Sequence, residues 1–294
     1  MPTLQASLRI TFKNVLVPTD FTSMSAAALA YARAFARDHG SKIFVAHAVL
    51  PEPPVFLPME PIPLDLDTAW QDAKAELSQF LTQDVLKDTK HEGILERGHI
   101  WNVVEDVAHR HSIDLIVLGS HGKRGLKKFV LGSAAEEIFR QADCPVLTVG
   151  PKAAPPAGDA IAFQHIVFAT DFSAGSLKAL PYAISLAEEN EARLTLLHVI
   201  PLVPLQQQAW VKENTSDRLQ KLIPADAEDW CHPVSLVSFE FPAEGILHVA
   251  ESEKADLIVM GVHKRAPQAS AHLPWAIAYE VICNARCPVL TVRG

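Results

Sequence analysis

Val15-Leu16-Val17-Pro18-Thr19-Asp20-Phe21-Thr22 returns in this chain as Ile166-Val167-Phe168-Ala169-Thr170-Asp171-Phe172-Ser173. Each stretch is a short apolar run that ends on Thr-Asp-Phe and a hydroxyl residue, the pattern of a buried strand feeding a capped helix. Two more segments follow the same rule. Asp114-Leu115-Ile116-Val117-Leu118-Gly119 returns as Asp256-Leu257-Ile258-Val259-Met260-Gly261, and Cys144-Pro145-Val146-Leu147-Thr148-Val149 as Cys287-Pro288-Val289-Leu290-Thr291-Val292. The order is the same both times, so the chain is an internal duplication.

Between the repeated strands the apolar spacing is helical. In the first copy the pattern predicts strands at Asn14–Val17, Lys42–Val49, Glu92–Arg97, Ile113–Leu118 and Pro145–Val149. It predicts helices from Thr22 or Ser23 to His39, over Asp65–Lys90, over Ile100–His111 and over Ser133–Gln141. The second copy repeats this, with strands near His165–Ala169, Arg193–Val199, Val234–Phe239, Leu257–Met260 and Val289–Val292. The proline-rich stretch Pro51–Pro63 excludes a helix or a central strand and reads as a surface loop over a pocket. The boundaries follow as a first domain over 1–150, a linker rich in Pro, Ala and Gly over 151–160, and a second domain over 161–294. Strands alternating with helices, and apolar on both faces, predict a parallel sheet covered on both sides. Such sheets bind ligands beyond the carboxyl ends of the strands, where strand order reverses. Asp20, Val49 and Gly119 all fall at such ends.

The copies differ in the loop after the fourth strand. The first carries Gly119-x2-Gly122-x9-Gly132-Ser133, with Lys123, Arg124, Lys127 and Lys128 between the glycines. Glycines at 119 and 122 permit close backbone approach to a ligand. Gly132-Ser133 opens a helix, where free N–H groups and the helix dipole favour a phosphate, and the basic side chains can neutralise a polyphosphate. The second copy has Lys264 for the second glycine and Pro274-Trp275 where Gly-Ser should stand. Pro274 has no N–H to offer, and Trp275 is large enough to fill the vacated space.

With 294 residues and a net charge of −8, the chain can bury two cores and lacks the positive field of a general nucleic-acid or anionic-membrane binder. No apolar run is long enough to span a bilayer, and no signal peptide is apparent. Cys144, Cys231, Cys283 and Cys287 form no CxxC pair, which fits a reduced cytoplasmic protein and no metal site.

Taken together, V-P-T-D-F-[ST], the H-A-V of His47–Val49, C-P-V-L and above all G-x2-G-x9-G-[ST] resemble the universal stress protein family over nearly the whole chain, as a tandem of two domains. The resemblance implies Rossmann-like α/β domains, each a five-stranded parallel sheet ordered 3-2-1-4-5. It implies ATP, with or without Mg²⁺, in the first domain only, held by Pro18, Thr19, Asp20, Val49, Leu118, Gly119, Gly122, Lys123, Arg124, Gly132, Ser133 and Ala134. Val117 or Leu118 would line the adenine end, with Val130 or Leu131 near the phosphates. It also implies an intramolecular pseudo-dimer through Val146–Val149 and Val289–Val292, with room for a further homodimer.

No catalytic set stands out. His47 and His198 recur on the second strand of both copies and read as structural; His121 and His263 recur beside the loop, where His121 could touch phosphate. Glu136 and Glu137 could hold Mg²⁺ only jointly with phosphates. Trp210 and Trp230 read as core or interface. The expected function is nucleotide-dependent stress response or signalling, without enzymatic purpose. The alternatives are a slow Mg-ATP hydrolase and a nucleotide-free interaction scaffold.

Overall fold

The computed structural model describes residues 10–50, 66–82, 84–120, 131–154, 156, 163–225, 227, 231, 233–262 and 274–294. The proline-rich stretch, Gly122, the basic cluster, His121, Val130, Trp230, His263, Lys264 and half of the linker lie outside these residues.

The first half runs β1 (Asn14–Pro18), α1 (Ser23–His39), β2 (Lys42–Val49), α2 (Leu66–Leu81), β3 (His91–Arg97), α3 (Ile100–Arg110), β4 (Leu115–Gly119), α4 (Ser133–Gln141) and β5 (Val146–Val149). The second runs β6 (His165–Ala169), α5 (Ala174–Leu177), α6 (Leu180–Asn190), β7 (Arg193–Val199), α7 (Leu205–Gln220), β8 (Val234–Ser238), α8 (Pro242–Ser252), β9 (Leu257–Val262), α9 (Pro274–Asn284) and β10 (Val289–Arg293). The strands form one ten-stranded sheet in the order β3-β2-β1-β4-β5-β10-β9-β6-β7-β8. Each half therefore has the expected order 3-2-1-4-5, with parallel pairing throughout.

The halves meet where β5 pairs antiparallel with β10, with Leu147 opposite Leu290 and Thr148 opposite Val289. Both leucines are fully buried, each contributing roughly 1.5–3 kcal/mol of burial. The pairing removes what would otherwise be two exposed sheet edges.

Alternation along each strand builds two cores. On β1, Val15 and Val17 face the layer of α1 and α6, while Leu16 faces that of α3, α4, α8 and α9. Both layers run through both halves. Phe12 stacks on Tyr182 with ring centroids 6.2 Å apart, and Phe35 lies 5.9 Å from Phe163. Tyr31 donates to the carbonyl of Ala154 at 2.7 Å, fastening the start of the linker to α1.

Two expectations need correcting. The helix foreseen over 65–90 ends at Leu81 and is followed by a 3₁₀ turn at Asp84–Leu86. Leu77 and Leu86 are both buried. At about 100° per residue an unbroken helix would put them on opposite faces, so the chain must turn to bury both. Of the two readings of Trp210, core and interface, its 69% exposure removes the first. Trp210 projects from α7 on the side opposite buried Leu219, nine positions further along and so about half a turn away.

Candidate functional site

The turn after β1 is organised around Asp20. Its Oδ1 accepts from the Thr22 hydroxyl at 2.7 Å, the Ser25 hydroxyl at 2.6 Å and the Thr22 amide at 3.2 Å. The N-cap of α1 is Thr22, which accepts from the Ser25 amide. Asp20 thus braces the capping residue instead of capping the helix itself. Phe21 takes the left-handed backbone at φ 64°, costly for a bulky residue, and is held there from three sides. Its amide donates to Thr19 Oγ1 at 3.0 Å, and its ring lies 4.4 Å from that of His47 and 5.8 Å from that of Phe80. His47 Nδ1 lies 2.7 Å from the Thr19 carbonyl.

The second copy rebuilds this turn. Phe172 has φ 61°, its amide donates to Thr170 Oγ1 at 3.0 Å, and His198 Nδ1 lies 2.7 Å from the Thr170 carbonyl. Asp171 Oδ1 accepts from the Ser173 amide at 2.9 Å and hydroxyl at 2.5 Å. The paired histidines bear out the structural reading. Burial, more than the neighbouring Arg218 guanidinium, holds the His198 imidazole below the ordinary histidine pKa. Arg218 also lies 4.0 Å from the centroid of the Phe172 ring.

Gly119 ends β4. A Cβ there would stand 2.7 Å from the Met24 carbonyl oxygen in α1. Gly261 is tighter still, with a Cβ 2.3 Å from the Ser176 Cα. The helix after the first strand lies against the end of the fourth strand in both halves, so this glycine is required for packing whether or not a ligand is present. The sequence expectation of ligand approach at Gly119 missed this reason.

The chain returns at Leu131, which is 3% exposed. The Gly132 amide donates to the Ser120 carbonyl at 2.7 Å, closing the loop at its base. Gly132 is the N-cap of α4 in extended backbone, and its missing side chain leaves the helix start without a side-chain cap. The amides of Ser133, Ala134 and Ala135 form the first turn, where no intrahelical acceptor exists. Ser133 and Ala134 are exposed.

Of the expected site residues, Pro18 and Thr19 close β1 beside Ala46 of β2, the Thr19 amide donating to its carbonyl at 2.9 Å. Val49 ends β2, its carbonyl accepting from the Gly98 amide at 3.1 Å. Leu118 and Gly119 end β4, and Gly132, Ser133 and Ala134 open α4. With β1 between β2 and β4, these residues gather along one rim at the point where strand order reverses. Gly122, Lys123 and Arg124 lie outside the described residues. Glu136 is paired with Arg140 at 3.1 Å, and Glu137 lies 3.6 Å from His99.

In the second copy, α9 ends at Asn284 as α4 ends at Gln141, each three residues before the shared Cys-Pro. Counting back places Trp275 opposite Gly132 and Ala276 opposite Ser133, a shift of one from the sequence expectation. The helix itself begins earlier, at Pro274. Its backbone occupies what in the first copy is the approach to the helix. The Trp275 side chain lies outside the described ones.

Ser25, Met24 and Tyr279 were missed from the sequence. Ser25 had a signal: Thr22-x-x-Ser25 recurs as Ser173-x-x-Ser176. Tyr279, whose hydroxyl accepts from the Leu131 amide at 3.2 Å, had none.

The sequence pattern of the universal stress protein family matches residues 11–150 and again residues 162–293. The chain belongs to the universal stress protein family. Two universal stress proteins of Methanocaldococcus jannaschii are among its relatives. One is 32% identical over 148 residues, 47% of this chain and 82% of the relative. The other is 26% identical over 161 residues, 49% of this chain and 99% of the relative. The solved structure of a universal stress protein from Archaeoglobus fulgidus covers 95% of this chain and 98% of its own, with a TM-score of 0.68 at 18% identity, a likeness of fold. Among the described residues, no helix is long and apolar enough to cross a membrane.

Proposed function

We propose that this universal stress protein binds ATP in its first half, within residues 1–150, and that its second half, residues 161–294 beyond a linker at 151–160, is a nucleotide-free pseudo-dimer partner. The observation that carries this is the start of α4. A glycine N-cap leaves the first-turn amides uncapped, where the helix dipole favours a phosphate. They open on the rim that holds Asp20, Val49 and Gly119. In the second half a proline-led, longer helix stands at the same place.

The adenine and ribose are assigned to Pro18, Thr19, Asp20, Val49 and Leu118. The phosphates go to the Gly119–Gly132 loop, with Gly122, Lys123 and Arg124, and to Ser133 and Ala134. A bound Mg²⁺ would take its ligands from the phosphates and water, since Glu136 and Glu137 are engaged by Arg140 and His99. Nucleotide occupancy would signal a cytoplasmic stress response by biasing a conformational equilibrium through its differential affinity for two states. Turnover would be at most slow.

The test is native mass spectrometry of the purified chain, then ATP titration of wild type and Gly132→Val. One adenine nucleotide per chain in wild type, lost in Gly132→Val with the fold intact, is the expected result. No nucleotide at millimolar ATP, with or without Mg²⁺, would overturn the reading. So would a Gly132→Val variant that binds as well as wild type.

A further inference from the structure

α4 is held by the second half of the chain at both ends. Just before its N-cap, the Leu131 amide donates to the Tyr279 hydroxyl of α9 at 3.2 Å. At its other end, the Arg293 guanidinium of β10 donates to the Gln141 carbonyl and lies 3.5 Å from the Asp143 carboxylate. These contacts join residues 148 and 152 positions apart in sequence.

Tyr279 and Arg293 are not repeats of a shared pattern. Counting from Cys144 and Cys287, Tyr279 stands opposite Glu136 and Arg293 opposite Gly150. Gly150 has no side chain to reach back, and a Cβ there would stand 2.6 Å from the Ile282 carbonyl of α9. The answering contact on α9 is an exposed one, Lys152 Nζ to Asn284 Oδ1 at 3.2 Å.

The hold on Leu131 has a chemical consequence. Leu131 is buried, so its amide cannot turn to water and needs a partner. The next amide, Gly132, is spent on Ser120. Together the two bonds fix the peptide units that carry the Leu131 and Gly132 amides, the two that lead into Ser133 and Ala134. They set the direction in which the uncapped first-turn amides of α4 point. A phosphate bound by such amides gains most when they are pre-aimed.

We infer that Tyr279 is a positioning residue for the phosphate site of the first half, so that the site is completed by the second half of the same chain, with Arg293 holding the far end of the same helix. This rests on the reading of the first half as an ATP site. It gives the second half a specific task, aiming the phosphate-binding turn.

The test uses the full chain and Tyr279→Phe, which keeps the ring and removes the acceptor oxygen. Two quantities are measured: hydrogen–deuterium exchange of the segment containing Leu131–Ala135 without nucleotide, and affinity for ATP and for adenosine. Exchange should rise in Tyr279→Phe. ATP affinity should fall by about three- to tenfold, the size of one lost hydrogen bond, while adenosine affinity stays within about twofold. The split between ATP and adenosine is what a general loosening of the fold would not produce. Unchanged exchange, unchanged ATP affinity, or an equal loss for both ligands would each overturn the inference. Arg293→Gln serves as the second variant should Tyr279→Phe fail to fold, with the same expected split. A wild type that binds no ATP while exchange still rises in Tyr279→Phe would overturn the nucleotide reading and, with it, this role for Tyr279. The contact itself would stand.

Discussion

The Ser25 hydroxyl donates to the Asp20 carboxylate at 2.6 Å, and its counterpart in the second half does something else. Ser176 Oγ lies 2.9 Å from Thr170 Oγ1 and donates to the Ser173 carbonyl at 3.1 Å. Asp20 therefore reaches into the first turn of α1 through Ser25, while Ser176 turns to Thr170 and Ser173 instead. Asp20→Ala should destabilise the protein by about 1–2 kcal/mol through the loosened cap of α1, and exposed Asp171→Ala by less. Urea unfolding of the two variants side by side checks the order; equal losses would contradict it.

Gly119→Ala and Gly261→Ala should both destabilise, by about 1–3 kcal/mol each. The added methyl meets helix backbone at 2.7 Å and 2.3 Å, and backbone cannot swing aside as a side-chain tip can. Gly261→Ala, in the half assigned no nucleotide, should cost at least as much. If Gly119→Ala left the urea midpoint unchanged, the packing reason for that glycine would be wrong.

His198 predicts a pH dependence. Its Nδ1 faces the Thr170 carbonyl, so the neutral ring carries its hydrogen there. Burial above all lowers its pKa in the folded state, and Arg218 adds to it, against the upward pull of the carbonyl bond and, less, of Asp171. A depressed folded value means the unfolded chain takes up the proton first as pH drops. The stability His198 contributes is therefore complete above the ordinary histidine pKa and is lost as pH falls through it toward the folded value. His198→Gln should show a smaller fall in urea midpoint between pH 8 and about pH 5 than wild type does. An identical fall would rule His198 out as the source.

The thiols should be inert in the folded protein. Burial pushes Cys144 and Cys287 up to about 12 and Cys231 to about 11, and raises Cys283 as well. All four are free, and the thiolate is the reactive form. Iodoacetamide at pH 8 should leave the native mass unchanged within minutes and add four carbamidomethyl groups after unfolding. Rapid labelling of Cys231, Cys283 or Cys287 in the native state would contradict their burial, and rapid labelling of half-buried Cys144 would contradict its raised pKa.

Much of this architecture could be read from the chain because strands and caps are local signals. Lys42–Val49, Arg193–Val199, His165–Ala169 and Ser133–Gln141 have the bounds that their apolar runs and flanking breakers indicate. The break after Leu81 was hidden, since nothing in Thr82–Lys90 announces a stop. It comes from the need to bury Leu86, a tertiary demand. The left-handed Phe21 was hidden for a related reason: no local rule puts an aromatic residue there, and three neighbours impose it. Gly119 was singled out correctly as a special position, but its partner, the Met24 backbone, lies far back in the chain. Tyr279 could not be found at all without knowing how α9 sits against the end of the loop.

The antiparallel register of β5 and β10, with Leu147 opposite Leu290, places an approximate two-fold axis between the halves. In an assembly of two identical chains, any residue near such an axis is present twice, and a change suited to one side is forced on the other. Covalent fusion lifts that restriction. Here one side of the axis has Glu136 and Gly150 where the other has Tyr279 and Arg293. Joined end to end, the two halves are free to differ at such paired positions, an asymmetry that no homodimer of either half could adopt.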